Sequence, residues 1–121
     1  MSLAIFLFQR RAVGDEVLTE TELLDGGAGL AGVERTRSEL WGAKVVVELG
    51  ATFLPQLATS DLWVEEGDLE AFAAECQRFL DEVELIAAGT PWDADYIAAR
   101  LQNMLAAVGL ALSSRRGVHI A

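Results

Sequence analysis

Four arginines and one histidine are the residues of this chain whose spacing best suits anion chemistry. They lie beside its first and last apolar runs. If those runs form neighbouring antiparallel strands, the arginines meet near the histidine at one end of the sheet, where bidentate contacts hold a carboxylate or phosphate. The interpretation we favour is plainer: these charges solubilise strand ends or pair with the protein's own acids. The residues of this candidate anion site are Arg10, Arg11, Arg115, Arg116 and His119.

A second group combines a tryptophan with a run of acids. Residues 61–95 carry eleven acidic residues and one arginine, whereas residues 96–121 carry three arginines and no acid. Such a negative face suits solubility, which we favour, or the steering of a basic partner. Tryptophan is enriched among the residues that dominate binding energy. The predicted partner-binding residues are Trp63, Glu65, Glu66 and Glu70.

Two further groups have the right residue types for metal or nucleophile chemistry but the wrong pattern. The acids from Asp61 to Glu70 lack the order of a calcium-binding loop, so we expect no metal there. The chain has one cysteine, Cys76, and one histidine, too few for the usual zinc site. Because Cys76 falls within an apolar helical stripe, we predict a buried core residue with a raised pKa and no catalytic role.

The segment Gly27–Gly32 matches the G-x-G-x-x-G pattern of dinucleotide-binding loops. That function requires a buried strand before the glycines and a full helix after them. The preceding stretch is half polar and the following helix is predicted to be barely two turns. We therefore expect a surface loop and no cofactor.

Composition limits the class of protein. The chain has 121 residues, 52% of them apolar, and a mean hydropathy of +0.30, which predicts a single folded domain over residues 1–121. The apolar share also suits a homo-oligomer. A net charge of −10 argues against nucleic-acid binding. Because no apolar run approaches the length of a membrane span and the first run is followed by arginines, we expect neither a membrane span nor a signal peptide, and the lone cysteine predicts a cytoplasmic location.

The elements that position these residues are predicted from periodicity. Leu3–Phe8 reads as a buried strand, and the alternation in Val17–Leu23 predicts a half-exposed strand that forms a hairpin with it. Gly117–Ala121 reads as a last strand. Segment 44–58 suits helix or strand; we favour a helix over 37–49, continuing past Gly50 towards Pro55.

The second half of the chain predicts two helices. One is capped by Asp68 and ends at Gly89, and the next is opened by the capping box Thr90–Asp93. The whole predicts an α+β fold with a small antiparallel sheet against about three helices, the last two forming an antiparallel hairpin. We expect a non-catalytic interaction protein, of the immunity, antitoxin or regulator kind, whose acidic face meets a basic partner. The alternatives are an anionic-ligand binder or weak enzyme that uses the arginines, and a homo-oligomeric structural subunit.

Overall fold

The structure is a computed structural model that describes residues 2–23 and 30–121. The described chain forms one antiparallel sheet in the order β2-β1-β5-β4, and β3 pairs with the start of β1. The strands are β1 (Ser2–Gln9), β2 (Thr19–Glu22), β3 (Leu30–Val33), β4 (Leu62–Val64) and β5 (Gly117–Ile120).

Strand β1 is central because it is apolar on both faces. Leu3, Ile5 and Leu7 are buried against the helices, and the alternation of a strand turns Phe6 and Phe8 to the opposite face. The sheet therefore has an inner face covered by helices and an outer face covered by its own side chains.

The helices pack on the inner face. The longest, α4, lies against β1, β3 and β5 and against the two helices that precede it. Its buried residues recur every three or four positions, which places them on one side of the helix. The α-helices are α1 (Lys44–Glu48), α2 (Leu69–Asp81), α3 (Val83–Ala88) and α4 (Ala94–Ser114).

The predicted α+β class is confirmed, with the N-terminal hairpin, the C-terminal strand and the helices at the end of the chain. The helix predicted over 37–49 is only partly correct. The chain forms a π-helical turn, Arg37–Trp41, then breaks at Ala43, whose backbone is extended, before α1. The predicted continuation past Gly50 is wrong, because Gly50 adopts a φ of 82°; a 3₁₀ helix follows at Leu54–Ala58.

The predicted helix caps also need correction. Asp68 makes no side-chain cap bond, because it ends a 3₁₀ turn and already has helical dihedrals. The predicted helix to Gly89 is interrupted at Glu82, which separates α2 from α3. The predicted Thr90 cap is wrong as well: α4 begins at Ala94, and its cap is Asp93, whose carboxylate accepts a 2.7 Å hydrogen bond from the Tyr96 amide.

No helix in the described part of the chain combines the length and the hydrophobicity needed to cross a membrane.

Candidate interaction face

The outer sheet face carries ring side chains on β1, β5 and the edge strand β4, and carboxylates on β2 and at both ends of β4. The register places Phe6, His119 and Trp63 in one row across β1, β5 and β4, so their side chains point the same way. In the described part of the chain the helices pack on the inner face, so this row lies on the side of the sheet away from them. We call the following set the outer face: Phe6, Phe8, Glu20, Glu22, Asp61, Trp63, Glu65 and His119.

The centre of the outer face is a stack of three rings. The Trp63 indole lies 3.5 Å from the His119 ring, centroid to centroid, with an angle of 8° between the planes. Phe6 lies 5.4 Å away from the same imidazole. His119 is buried by this stacking, whereas Trp63 remains 39% exposed. The row therefore presents an indole to solvent on a rigid base.

Two carboxylates flank the imidazole of His119. Nδ1 contacts Oε1 of Glu20, a hydrogen bond in which Nδ1 donates to the ionised form of the carboxylate. Nε2 lies 3.7 Å from Oδ2 of Asp61, beyond hydrogen-bonding distance, and has no hydrogen-bond partner among the described residues. The histidine thus contacts both edge strands, β2 through Nδ1 and Glu20 and β4 through the stacked Trp63 ring.

Arg37 holds Asp61 in place. Its guanidinium donates to Oδ1 of Asp61 at 3.0 Å and to the carbonyls of Ser60 at 2.9 Å and Leu57 at 3.2 Å. Its Nε also donates to Glu34 at 2.7 Å. One arginine therefore fixes the segment that leads into β4, and sequence reasoning gave it no role.

Arg10 lies over two rings of the outer face, Phe8 and Trp63. Its guanidinium lies 4.9 Å from the Phe8 ring and 5.1 Å from the Trp63 ring, distances suited to cation–π contact. It also forms an ion pair with Glu65 at 3.2 Å. Phe8 is consequently 1% exposed, although it points away from the helices.

The carboxylates of the outer face differ in whether a basic side chain pairs with them. Asp61 and Glu65 have arginine partners, and Glu20 has the imidazole. Glu22 is exposed and has no ion-pair partner among the described residues. The β2 edge therefore carries the less neutralised negative charge.

The antiparallel pairing of β1 and β5, which the anion-site prediction requires, is present. Arg10, Arg115 and Arg116 line one pocket of about 30 Å³, room for about one or two water molecules. Glu65 and Glu66 line the same pocket, so its arginines face the protein's own acids.

The two remaining residues of the anion-site prediction lie elsewhere. Arg11 lines a separate open cleft with Asp15 and Glu16. His119 belongs to the aromatic row and does not line the arginine pocket. Anion binding by the three clustered arginines stays a prediction.

The predicted partner-binding residues are divided between two regions. Trp63 and Glu65 lie on the outer face. Glu66 is exposed at the arginine pocket, and Glu70 is exposed in the first turn of α2. The structure brings Phe6, Glu20, Asp61 and His119 to Trp63, a grouping that depends on strand register and that the sequence did not reveal.

Cys76 lies among core side chains on α2, away from His119, which faces outward from the sheet. Desolvation by burial, and secondarily the charge of Glu75, raises the pKa of this thiol far above its usual range. Within residues 2–23 and 30–121, no group of three or more His, Cys, Asp or Glu side chains is arranged to hold a metal ion.

The first half of the glycine motif, residues 27–29, lies outside the described residues, which include its last three positions. Of these, Gly32 belongs to β3, where its φ is 140° and a Cβ atom would meet the side chain of Thr36. The backbone conformation and the close approach of Thr36 therefore explain a glycine at this position without any cofactor.

Comparisons of the chain with protein-family models, curated proteins and solved structures gave no significant match.

Proposed function

We propose that this protein is a non-catalytic interaction module that docks a basic protein surface on its outer face. The observation that carries the proposal is the half-exposed Trp63, held flat on His119 at the β4 edge of the outer face. Indole rings supply large contact area with little loss of conformational entropy, and they attract guanidinium and ammonium groups. Carboxylates around such a ring favour a partner rich in lysine and arginine.

The arrangement supports recognition in preference to bond-breaking chemistry. The most confined ionisable group on the outer face is His119, and its ring lies beneath Trp63 with its Nδ1 occupied by Glu20. A general base needs a nucleophile or substrate proton within reach, and Nε2, the imidazole nitrogen without a hydrogen-bond partner among the described residues, is buried. The rigid base instead reduces the ordering cost of binding.

The test uses a defined probe, a peptide of about ten residues with lysine at every second position, at about 0.15 M salt. We expect binding to shift the NMR signal of the Trp63 indole N–H while the indole of buried Trp41, bonded to the Ala31 carbonyl at 3.1 Å, stays unchanged. Trp63→Ala and Glu22→Lys should each lower the affinity of the protein for the probe about tenfold.

A matched control separates docking from general attraction to a negative protein. Glu84→Lys changes charge by the same amount as Glu22→Lys, but Glu84 is exposed on α3. We expect less than about a threefold change for this variant, because α3 packs among the helices of the inner face and salt screens exposed charges outside the docking site. Equal losses for both variants, or no shift at the Trp63 indole, would contradict the proposal.

A further inference from the structure

The hydrogen-bonding phase of the sheet determines which backbone groups face outward at its edges. The Leu23 amide donates to the Ile5 carbonyl at 2.9 Å. Since antiparallel strands alternate between residues that face their partner and residues that face away, Thr19 and Thr21 direct their backbone groups to β1. The N–H and C=O groups of Glu20 and Glu22 therefore point away from the sheet.

This outward edge of β2 is accessible. All four residues of β2 are exposed, and the outward groups of Glu20 and Glu22 have no hydrogen-bond partner among the described residues. The opposite edge of the sheet, β4, offers fewer free backbone groups for pairing. It has three residues, and its hydrogen-bonding pattern with β5 leaves only Trp63 with backbone groups that face outward. An edge of this kind is a template for pairing with another strand.

We propose that the partner adds an antiparallel strand to β2, with lysine or arginine side chains two residues apart opposite Glu20 and Glu22. This inference rests on the proposed docking of a basic protein and specifies its geometry at the β2 edge. Because the sheet order is β2-β1-β5-β4, the added strand lies about 19 Å from β4. Trp63 is therefore contacted by the part of the probe that extends beyond the residues paired with β2. Added in this way, the partner's two basic residues exchange backbone hydrogen bonds with the two glutamates. Their side chains then lie on the outer face, about 4.5–5.5 Å from the carboxylate-bearing side chains, measured between Cβ atoms.

Charge selects this occupant over a second copy of the chain. Pairing two copies of β2 would bring four glutamates into adjacent cross-strand positions, and like charges in such pairs are destabilising. A strand with basic residues at the same spacing replaces that repulsion with attraction, and its backbone supplies affinity while its side chains supply specificity.

The experiment uses the lysine-alternating peptide in three forms: unmodified, N-methylated at its central lysine amides, and N-methylated at the residues between them. All three carry the same charge. In the proposed geometry the lysine amides face β2, so their methylation should weaken binding at least about tenfold, whereas methylation of the intervening amides should have much less effect. On binding of the unmodified peptide, hydrogen exchange at the amides of Glu20 and Glu22 should slow.

A pair of variants tests the same geometry from the protein's side. Glu22→Ala and Glu22→Pro remove the same charge, but only proline removes the outward N–H, and neither removes a hydrogen bond to β1. We expect the proline variant to bind the peptide about tenfold more weakly than the alanine variant. If the proline variant does not fold, the methylated peptides still decide the question.

The outcomes separate this inference from the proposal beneath it. Suppose that Glu22→Lys weakens peptide binding but methylation of the lysine amides does not. The peptide then docks on the outer face without adding a strand, and only the inference is overturned. Failure of the unmodified peptide to bind overturns both. A dimer of the free protein formed through β2 would also overturn the choice of a basic partner strand.

Discussion

The indole of Trp63 and the imidazole of His119 lie face to face across β4 and β5, 3.5 Å apart and nearly parallel. This is a directly opposed cross-strand pair, the kind of contact that stabilises a sheet. It buries the histidine and leaves the tryptophan half exposed, so one contact contributes both to the stability of the sheet and to the shape of its outer face.

The first prediction concerns the middle of this stack. His119→Ala removes the ring between Phe6 and Trp63 and leaves the Glu20 carboxylate without its donor, so we expect a loss of about 2–3 kcal/mol in the free energy of unfolding. His119→Phe retains a flat ring and loses only the hydrogen bond, so about 1 kcal/mol should be lost. Urea denaturation measures both values. Equal losses would mean that stacking contributes little.

A second prediction concerns Glu75, a buried carboxylate on α2. It accepts hydrogen bonds from the amides of Phe53 at 3.1 Å and Leu54 at 2.8 Å, and also from Thr52, at the start of the 3₁₀ helix. Glu75→Gln replaces one accepting oxygen with a donor that faces these amides. We expect a loss of about 2–3 kcal/mol in stability, measured by chemical denaturation.

Glu70 provides the control for this substitution, since it lies on the same helix but is exposed. Glu70→Gln removes one charge from the first turn of α2, and its cost should stay below about 1 kcal/mol. If the two variants lost the same stability, the amide contacts of Glu75 would not be the cause.

The third prediction follows from the raised pKa of the Cys76 thiol. In the unfolded chain the Cys76 thiol has its ordinary pKa of about 9, whereas burial raises the pKa in the folded protein and keeps the thiol protonated. A group whose pKa is higher in the folded state loses its stabilising contribution as the pH rises above the unfolded value. Between pH 7 and pH 10 we therefore expect about 1.4 kcal/mol of stability to be lost through this group.

Cys76→Ala isolates that contribution, because it removes the thiol and keeps every other titrating group. The difference between the two pH profiles, each measured by urea denaturation, is the predicted quantity. Reaction of the native thiol with a disulfide reagent should also be slow and should accelerate on unfolding. Parallel pH profiles or rapid native labelling would contradict the prediction.

Sequence periodicity predicted the strands and long helices because each has its own pattern of buried residues. Leu3, Ile5 and Leu7 alternate, and the apolar residues of α4 recur at helical spacing. Periodicity could not predict whether the first and last strands pair, because pairing depends on the tertiary fold. Their register brings His119 to Phe6 and Trp63, residues that are distant in the chain, and no local pattern encodes such a register.

Other features were missed because their causes are non-local. Arg37 acts on Asp61 and on two carbonyls more than a dozen residues away, and Glu75 caps a helix that precedes it by a similar interval. The helix predicted over 37–49 breaks near Gly42, where a Cβ atom would lie 2.6 Å from the Cβ of Ala58. That glycine reflects the close approach of the following 3₁₀ helix, which is a tertiary contact and has no signature in the local sequence.

The last prediction concerns Gly117, the first residue of β5, which lies beneath the Phe8 ring. A Cβ atom here would meet that ring and would approach the Val64 carbonyl oxygen to 2.6 Å. Gly117→Ala should therefore push Phe8 out of place and cost about 1–3 kcal/mol in stability. Gly109→Ala is the matched control, because Gly109 is exposed on α4 with open space at its Cβ position.

In Gly109→Ala, alanine's greater helix propensity should raise stability by about 0.5–1 kcal/mol. The same change of one hydrogen to a methyl group thus has opposite expected signs at the two sites, and urea denaturation of both variants measures the difference. Displacement of Phe8 also disturbs its edge-to-face contact with Trp63, whose ring centroid lies 5.0 Å away. The Trp63 indole N–H signal should therefore shift in Gly117→Ala and stay unchanged in Gly109→Ala; a stable Gly117→Ala variant with an unshifted indole would show that Phe8 does not need the glycine beneath it.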